Sequence, residues 1–483
     1  MRKKVQLLVA ILFCFTAIAH AQFKKLHDMS TGQPNGSLTI VGNVMYGTAS
    51  AGGANGFGYL FSISRNGTNF KDIFDFDDTG SVANKCNGKN PNGNLTYVNG
   101  KLYGFTNYGG LHSDGTIFSI NTNGSGYEDL WDFTSSSGKW PYQGLLTLCG
   151  KKFFGTTNLG GAANFGVIFS IDTNGNNYTD LYDFLDTGTV VGRYDGQYPS
   201  TSTFSVINGR LYGMTTNGGA YGYGEIYAID TNGKDYMDLL DFDNINYGAS
   251  PQGALLLSGH KFYGMTSLGN SGYSSYGSIF SIDTNGTAYQ TLANLASTNG
   301  ATPNGDLAIS PKGKLYGMTY AGGTSGYGVL FSMDTNGQGY KVLASFTGTA
   351  NGSFPEGNVT VERDTLFGIT QKGGTSNVGA IFEYIDTSMV AGLGNISSVA
   401  SSAFYLYPNP NSGEFIVKGE MLKVNSIIEV YNILGAKIYS NELSTFNSQL
   451  SIDLSNNASG IYLYRIITNN GELIKEGKLV IEK

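Results

Sequence analysis

Seven times along this chain, at almost even intervals, a glycine follows an aromatic residue inside a short apolar stretch. It appears in Met45-Tyr46-Gly47-Thr48, Leu102-Tyr103-Gly104-Phe105-Thr106, Phe153-Phe154-Gly155-Thr156-Thr157 and Leu211-Tyr212-Gly213-Met214-Thr215, then within residues 262–266, 315–319 and 366–370. The central glycines are 47, 104, 155, 213, 264, 317 and 368, so successive copies lie 51–58 residues apart. A self-similar period of this size signals a solenoid or a propeller. Each period holds four short stretches in which large apolar residues alternate with small or polar ones, a strand pattern and not a helical one. In the fourth copy these are residues 204–207, 210–215, 225–230 and 236–242. The turn between the last two, Asp230-Thr231-Asn232-Gly233, carries an Asn-Gly hairpin signal that recurs from Asp172, Asp283 and Asp334. Four strands per ~50 residues is the content of a propeller blade.

The seventh copy lacks its fourth strand. A matching stretch, Phe23-Lys24-Lys25-Leu26-His27-Asp28-Met29, stands near the start of the chain, ahead of a Pro34-x-Gly36-x-Leu38 signature that opens later copies too. A ring in which the first strand completes the last blade leaves no open sheet edge between the two ends. The expectation is an all-β chain with a seven-bladed β-propeller over residues 22–386, its ring closed by the N-terminal strand. Composition agrees: 70 glycines in 483 residues, 13% aromatic and only 13% charged residues do not describe a coiled coil or a disordered chain. The net charge of −7 and the lack of any basic run exclude a phosphate-neutralising surface, so no nucleic-acid partner is expected. Of the three cysteines, Cys14 lies in the leader. Cys86 and Cys149 are expected on opposite faces of the ring, so they form no disulfide or metal pair.

The two ends read as addresses. Residues 1–21 have a basic start (Arg2, Lys3, Lys4), an apolar middle and a small-residue close at Ala19-His20-Ala21, the pattern of a signal peptide cleaved between Ala21 and Gln22. The apolar middle is shorter than the ~20 residues a membrane span needs, and no transmembrane segment is expected. Residues 387–404, rich in Ser, Ala and Gly, read as a linker. Residues 405–483 then show short alternating stretches (415–417, 426–432, 437–439, 460–467 and 478–481), the content of a small β-sandwich.

That last segment opens on Tyr407-Pro408-Asn409-Pro410, passes through an "SGIYLYRI" stretch containing Gly460, and ends on Lys478-Leu479-Val480. It closely resembles the type A C-terminal sorting domain of type IX secretion cargo in Bacteroidetes. The resemblance implies the type IX secretion machinery as partner and export through periplasm and outer membrane, followed by release or attachment to the cell surface. The repeats, typified by "KLYGMTYAGGTSGYGVLFSMD" from Lys314 to Asp334, resemble the Gloeo-Verruco tandem repeat. That resemblance implies the architecture and brings no site with it.

Strand order puts the Gly-Gly loops between second and third strands on one face and the Asn-Gly hairpins on the other. The Gly-Gly face carries Tyr108, Tyr221, Tyr223, Tyr273, Tyr276, Tyr320 and Tyr327, among Asn107, Asn158, Asn217 and Asn270. Flat rings beside amides suit a sugar, whose apolar face stacks while its hydroxyls bond; packing between blades is the plainer reading of each tyrosine alone. Calcium in the Asp172 turn fails on repetition, because the copy at Asp334 has Asn336, Gln338 and Val342 where ligands would be needed. The outer-strand pairs Asp129/Asp132, Asp180/Asp183 and Asp238/Asp241 recur copy after copy, and repetition argues for structure. Residues that break the repeat are His112, Asp114 and Arg193-Tyr194-Asp195. No GxSxG, HExxH or P-loop occurs, so no catalytic residue, metal or cofactor is assigned. The expected function is non-catalytic binding or adhesion toward glycan or a surface protein. A polysaccharide hydrolase or lyase on the same face is the alternative, and a purely structural extracellular role the third reading.

Overall fold

The computed structural model describes residues 22–78, 87–142, 144–185, 194–199, 203–269, 276–363, 365–386, 405–418, 426–432, 436–443, 449–468 and 473–483. The leader, the linker, Cys86, Arg193, Asn270 and Tyr273 lie outside them. All regular structure among the described residues is β, and no helix there is long and apolar enough to cross a membrane. The chain divides into two compact units, 1–391 and 392–483.

The first unit is propeller-like. It contains antiparallel sheets built as simple meanders, the first from Thr39–Val41, Val44–Ala49, Tyr59–Ser64 and Lys71–Asp75. Five more follow the same order, and three sheets add a short strand beside the second one, such as Gly196–Pro199 in the fourth. The last consists of Thr360–Glu362, Thr365–Thr370 and Ala380–Ile385, with Gln22–Asp28 from the start of the chain paired antiparallel along its outer edge.

Register explains the recurring glycine. Each one faces an aromatic residue on the third strand: Gly47 faces Phe61, Gly104 Phe118, Gly155 Phe169, Gly213 Tyr227, Gly264 Phe280, Gly317 Phe331 and Gly368 Phe382. A Cβ at any of the seven would come within 2.4–2.8 Å of that ring. The ring therefore lies flat across its neighbour strand, and only hydrogen fits beneath it.

Apolar clusters fill the spaces between successive sheets. Phe118, Leu102 and Ile120 meet Leu60 and Phe76, and Phe280 and Phe262 meet Ile226 and Phe242. Phe367, Ile369 and Ile381 of the last sheet share a cluster with Met45, Phe61 and Ile63 of the first. The innermost strands are stitched by hydroxyls to the next sheet's backbone. Thr39 donates to the Leu95 carbonyl at 2.6 Å, Thr96 to Leu146 at 2.7 Å, Ser205 to Leu255 at 2.7 Å, and Thr360 to Leu38 at 2.8 Å.

The second unit has a three-stranded sheet (Tyr405–Tyr407, Glu414–Lys418, Gln449–Asp453) and a four-stranded one (Lys437–Leu443, Ser426–Asn432, Gly460–Thr468, Leu473–Ile481). Alternate residues Phe415/Val417, Ile428/Val430, Tyr462/Tyr464/Ile466 and Leu479/Ile481 form its core, as period-2 strands require. The strands at 405–407 and 449–453 were not expected from sequence, and the final strand begins at 473 rather than 478.

Candidate functional site

Four of the Gly-Gly loops are held from below by the outer strand. The second aspartate of the repeated pair accepts a backbone N–H just past the glycines: Asp75 from Ala54 at 2.6 Å, Asp132 from Leu111 at 2.8 Å, Asp183 from Ala162 at 2.9 Å and Asp241 from Ala220 at 2.6 Å. These carboxylates cap turns. The Asp172 turn is likewise a hairpin, with Asn174 Oδ1 accepting the Asn176 N–H at 3.1 Å and Asp172 accepting from the Asn177 side chain at 2.7 Å.

From above, six of the seven loops are clamped by the residue before the next sheet's proline. The backbone N–H groups of Asn90, Trp140, Tyr198, Ser250, Thr302 and Phe354 donate to the carbonyls of Phe57, Asp114, Phe165, Tyr223, Tyr276 and Tyr327, at 2.7–2.9 Å. All six donors have φ between 51° and 55°, left-handed backbone that bulky residues avoid and that proline disfavours in its predecessor. The loop glycine that follows, such as Gly58 or Gly328, lies against the proline ring, where a Cβ would approach within 2.5 or 2.9 Å. The backbone is thus the same at six junctions, where the side chain at the clamp varies freely, while Gln33 before Pro34 does not share the left-handed conformation.

Three of those side chains are aromatic. Trp140 meets Tyr108 edge-on with centroids 5.6 Å apart, Tyr198 meets Phe165 at 5.9 Å, and Phe354 meets both Tyr320 at 5.0 Å and Tyr327 at 5.3 Å. Lys139 and Lys372 lie over the Trp140 and Phe354 rings. Of the tyrosines anticipated from sequence, Tyr320 and Tyr327 share one aromatic partner and Tyr108 has another. Tyr221 stands alone and 62% exposed, and Tyr276 is exposed. Tyr223 packs against the cluster between the fourth and fifth sheets.

Inside this rim the Pro-x-Gly segments converge. Asn35, Asn94, Asn304, Glu356 and Asn358, from four sheets, line one small cavity. Gln371 donates to Asn35 Oδ1 at 3.1 Å, and Asn35 in turn donates to Ser50 Oγ at 3.1 Å. Burial pushes the Glu356 carboxyl above its ordinary range, against a hydrogen bond from Gln371 and the nearby charge of Lys372. The Tyr142 hydroxyl is also raised by burial, then by Glu356, with Asn92 opposing and Tyr108 and Tyr320 adding to the rise. These groups therefore surround one space. The amide oxygens of Asn92, which bonds Tyr142, and of Asn304, which lines the cavity, are buried there without a hydrogen-bond partner, and that of Asn107 on Lys101–Tyr108 is likewise orphaned. Buried acceptors are normally satisfied, and such orphans call for hydroxyl or water donors.

His112 and Asp114 do not form a pair: Asp114 accepts from Ser135 Oγ at 3.2 Å, while His112 points into solvent. Asp195 is buried and belongs to a different part of the fold.

In the second unit the two ends of the tail clasp each other. Asn409 donates from its amide nitrogen to the Lys478 carbonyl and accepts the Val480 N–H on its amide oxygen, both at 2.8 Å. The Asn411 N–H donates to the Val480 carbonyl at 3.0 Å, and the Asn411 carbonyl accepts the Glu482 N–H at 2.8 Å. Gly460 pairs with Ile481 beside them, and Tyr407 projects into solvent. Motifs seventy residues apart in sequence thus make one continuous surface feature.

The Gloeobacter/Verrucomicrobia repeat model matches residues 11–203, 148–308 and 260–402, most of the chain. The chain belongs to this repeat family. Residues 405–482 match the secretion system C-terminal sorting domain. That domain marks a protein exported by the type IX machinery, with which it interacts, to be secreted or attached at the cell surface.

Among proteins of curated function, none matches this repeat-family member. Solved structures do. The extracellular domain of the hybrid two-component system BT4673 of B. thetaiotaomicron is 12% identical at a TM-score of 0.50, covering 85% of this chain and 45% of that one. PorZ, an essential surface component of the type IX secretion system of Porphyromonas gingivalis, is 15% identical at a TM-score of 0.35, covering 92% and 64%. The chain thus spans less than two thirds of either protein, and likeness at such identities concerns fold alone.

Sequence reading of this repeat-family member missed Tyr142, Trp140, Phe354 and Glu356. The signal was available in the residues flanking each Pro-x-Gly opening, where Trp140-Pro141-Tyr142 and Phe354-Pro355-Glu356 stand against Asn90-Pro91-Asn92.

Proposed function

We propose that the repeat sheets are the seven blades of a ring closed by Gln22–Asp28, and that the Gly-Gly face of this ring binds a polyhydroxylated ligand, a glycan, outside the cell. In this reading residues 1–21 are a cleaved leader and the sorting domain carries the binding module outward. The observation that carries it is the pair of orphaned amide oxygens on Asn92 and Asn304, beside Tyr142 and Glu356 and near the aromatic rings of the rim. Sugar hydroxyls would satisfy the oxygens, and the apolar face of a pyranose would stack on the rings. Binding is favoured over hydrolysis because a glycosidase sets two carboxyl groups across the scissile bond, roughly 5–10 Å apart. Glu356 stands instead among amides and phenols. The inner-ring acid Asp306 is occupied, accepting the Ala254 N–H at 2.6 Å on Oδ1 and the Asn358 amide on Oδ2.

The test is an array of bacterial and plant polysaccharides probed with the whole chain, reading both retention and released reducing ends. Retention without release is expected. Trp140→Ala and Tyr320→Ala together should weaken it at least ~10-fold, about 1.4 kcal/mol, with Tm unchanged. Release would make the protein an enzyme. Retention that survives the double variant would move the site off this face. No retention on any glycan would leave a surface protein as the partner to seek.

A further inference from the structure

Beside each of the six clamps, the residue just ahead of the clamp bridges to the residue just ahead of the loop glycines. In the fourth, fifth and sixth sheets both partners of this bridge are uncharged. In the second, third and seventh sheets one partner is a lysine: Lys89, Lys139 and Lys372. No acid occupies the position. Lys89 and Lys139 come from the strand that opens the sheet and Lys372 from the loop side, yet all three lie over an aromatic ring. Lys89 is 5.6 Å from the centre of Phe57, Lys139 5.6 Å from that of Trp140, and Lys372 5.8 Å from that of Phe354. One backbone position thus delivers a cation to a ring three times.

The three differ in what meets the charge. Lys89 is taken, its Nζ lying 2.6 Å from Asp78 Oδ2. Lys139 and Lys372 form no ion pair among the described residues, and each is half-buried. These two flank one space. Trp140 stands two residues ahead of Tyr142, and Phe354 two residues ahead of Glu356. The charge of Glu356 acts on the Tyr142 hydroxyl, as do Tyr108, which meets Trp140, and Tyr320, which meets Phe354. The orphaned oxygens of Asn92 and Asn304 ask for donors, whereas an ammonium group has three donors and asks for acceptors. Glu356, the acid on the cavity wall, is pushed up by burial, so it takes a proton at reduced cost when an anion approaches.

A lysine stem laid along a ring leaves its charged head free at the water's edge. That head is a point charge without the planar fork by which arginine selects its partner, so it suits carboxylate and sulfate alike. A ligand that brings hydroxyls to the amides, an apolar sugar face to the rings and anionic groups to the lysines is an acidic polysaccharide. We infer that the glycan of the Gly-Gly face is anionic, a polyuronate or a sulfated polysaccharide whose acid groups pair with Lys139 and Lys372. This rests on the glycan-binding reading above and narrows it. The net charge of −7 gives the chain no general attraction for a polyanion, so retention of one requires a local site.

Retention of the whole chain is measured on matched pairs: polygalacturonate against the same polymer with its carboxyls reduced to alcohols, and dextran sulfate against dextran. In at least one pair the acidic member should be held about 5-fold more tightly at low salt. Which pair responds distinguishes carboxylate from sulfate. The preference should vanish near ~1 M salt, where the screening length falls to ~3 Å. Lys139→Met with Lys372→Met keeps an apolar stem over each ring and should abolish the preference with Tm unchanged. Lys234→Met, which removes a charge beside an Asn-Gly hairpin, should leave the preference intact. Equal retention within both pairs, or retention of neutral polysaccharides alone, would overturn the inference and leave the glycan-binding reading standing. A preference that survives the double variant, or that Lys234→Met abolishes, would overturn it too, placing the responsible charge elsewhere. No retention on any polysaccharide, neutral or acidic, would remove both readings together.

Discussion

Two kinds of residue constraint run through the repeat unit, and they differ in cause. Gly47 and its six counterparts are glycines because an aromatic ring occupies the space a Cβ would need; none of the seven has positive φ. The six clamp residues that precede prolines are the reverse case, since their backbone asks for glycine and does not have it. Ser250, at φ 52°, is the cleanest example: its carbonyl accepts from Ser267 Oγ, an interaction that any residue would keep. Left-handed backbone costs an L-residue roughly 1–2 kcal/mol, and glycine recovers part of that against its greater unfolded freedom. Ser250→Gly should therefore stabilise the repeat unit by about 0.5–1 kcal/mol in urea unfolding. A loss of stability would show that the serine side chain is held by something else. At Phe354 the same change would remove the partner of Tyr320 and Tyr327, so relief of strain and loss of the rim oppose each other there.

At the scale of elements, the strand Gln22–Asp28 has the largest consequence for its length. It pairs with Ala380–Ile385 along nearly its whole extent, and Phe23 stacks on Phe382 at 5.0 Å and meets Phe346 edge-on at 6.2 Å. Phe23→Ala removes a half-buried ring from that cluster and should cost about 2–3 kcal/mol. Amides of residues 380–385 should then exchange with solvent faster than those of the third sheet; equal protection in both would show that this strand is dispensable. The pairing was legible in the sequence because Phe23 to Asp28 repeats the spacing of the other outer strands, and a missing strand at one end needs its copy at the other. The mouth of the Gly-Gly face was less legible. Tyr320 and Tyr327 were visible as aromatic residues in a loop, but Phe354, which both touch, lies in the next copy, and only the backbone clamp brings it across. Glu356 and Tyr142 occupy a variable position inside a repeated Pro-x-Gly signature, where repetition draws the eye to what stays the same.

The whole molecule consists of two units, each holding a carboxyl through which its stability answers to acid, and in opposite senses. In the sorting domain Glu429 accepts from Lys437 at 2.8 Å, from Tyr431 at 2.7 Å and from Arg465, which together hold its carboxyl down at about 2. An unfolded glutamate titrates near ~4.3, so this stabilisation is complete above that value and disappears as pH falls toward 2. In the repeat unit burial holds Glu356 above the unfolded value, so its ionised form is penalised at neutral pH and the penalty lifts as pH falls toward ~4.3. Two compact units, each with its own apolar core, should also melt separately. Calorimetry of the whole chain should thus resolve two transitions, the one from the sorting domain dropping between pH 4 and 2.5. Glu429→Gln should flatten that drop, and Glu356→Gln should raise only the other transition at neutral pH. One cooperative transition at every pH would mean that the units stabilise each other. An unchanged acid drop in Glu429→Gln would remove this ion cluster as its cause. Separate melting would also suit an exported protein whose sorting domain serves delivery, because loss of that domain would leave the repeat unit folded.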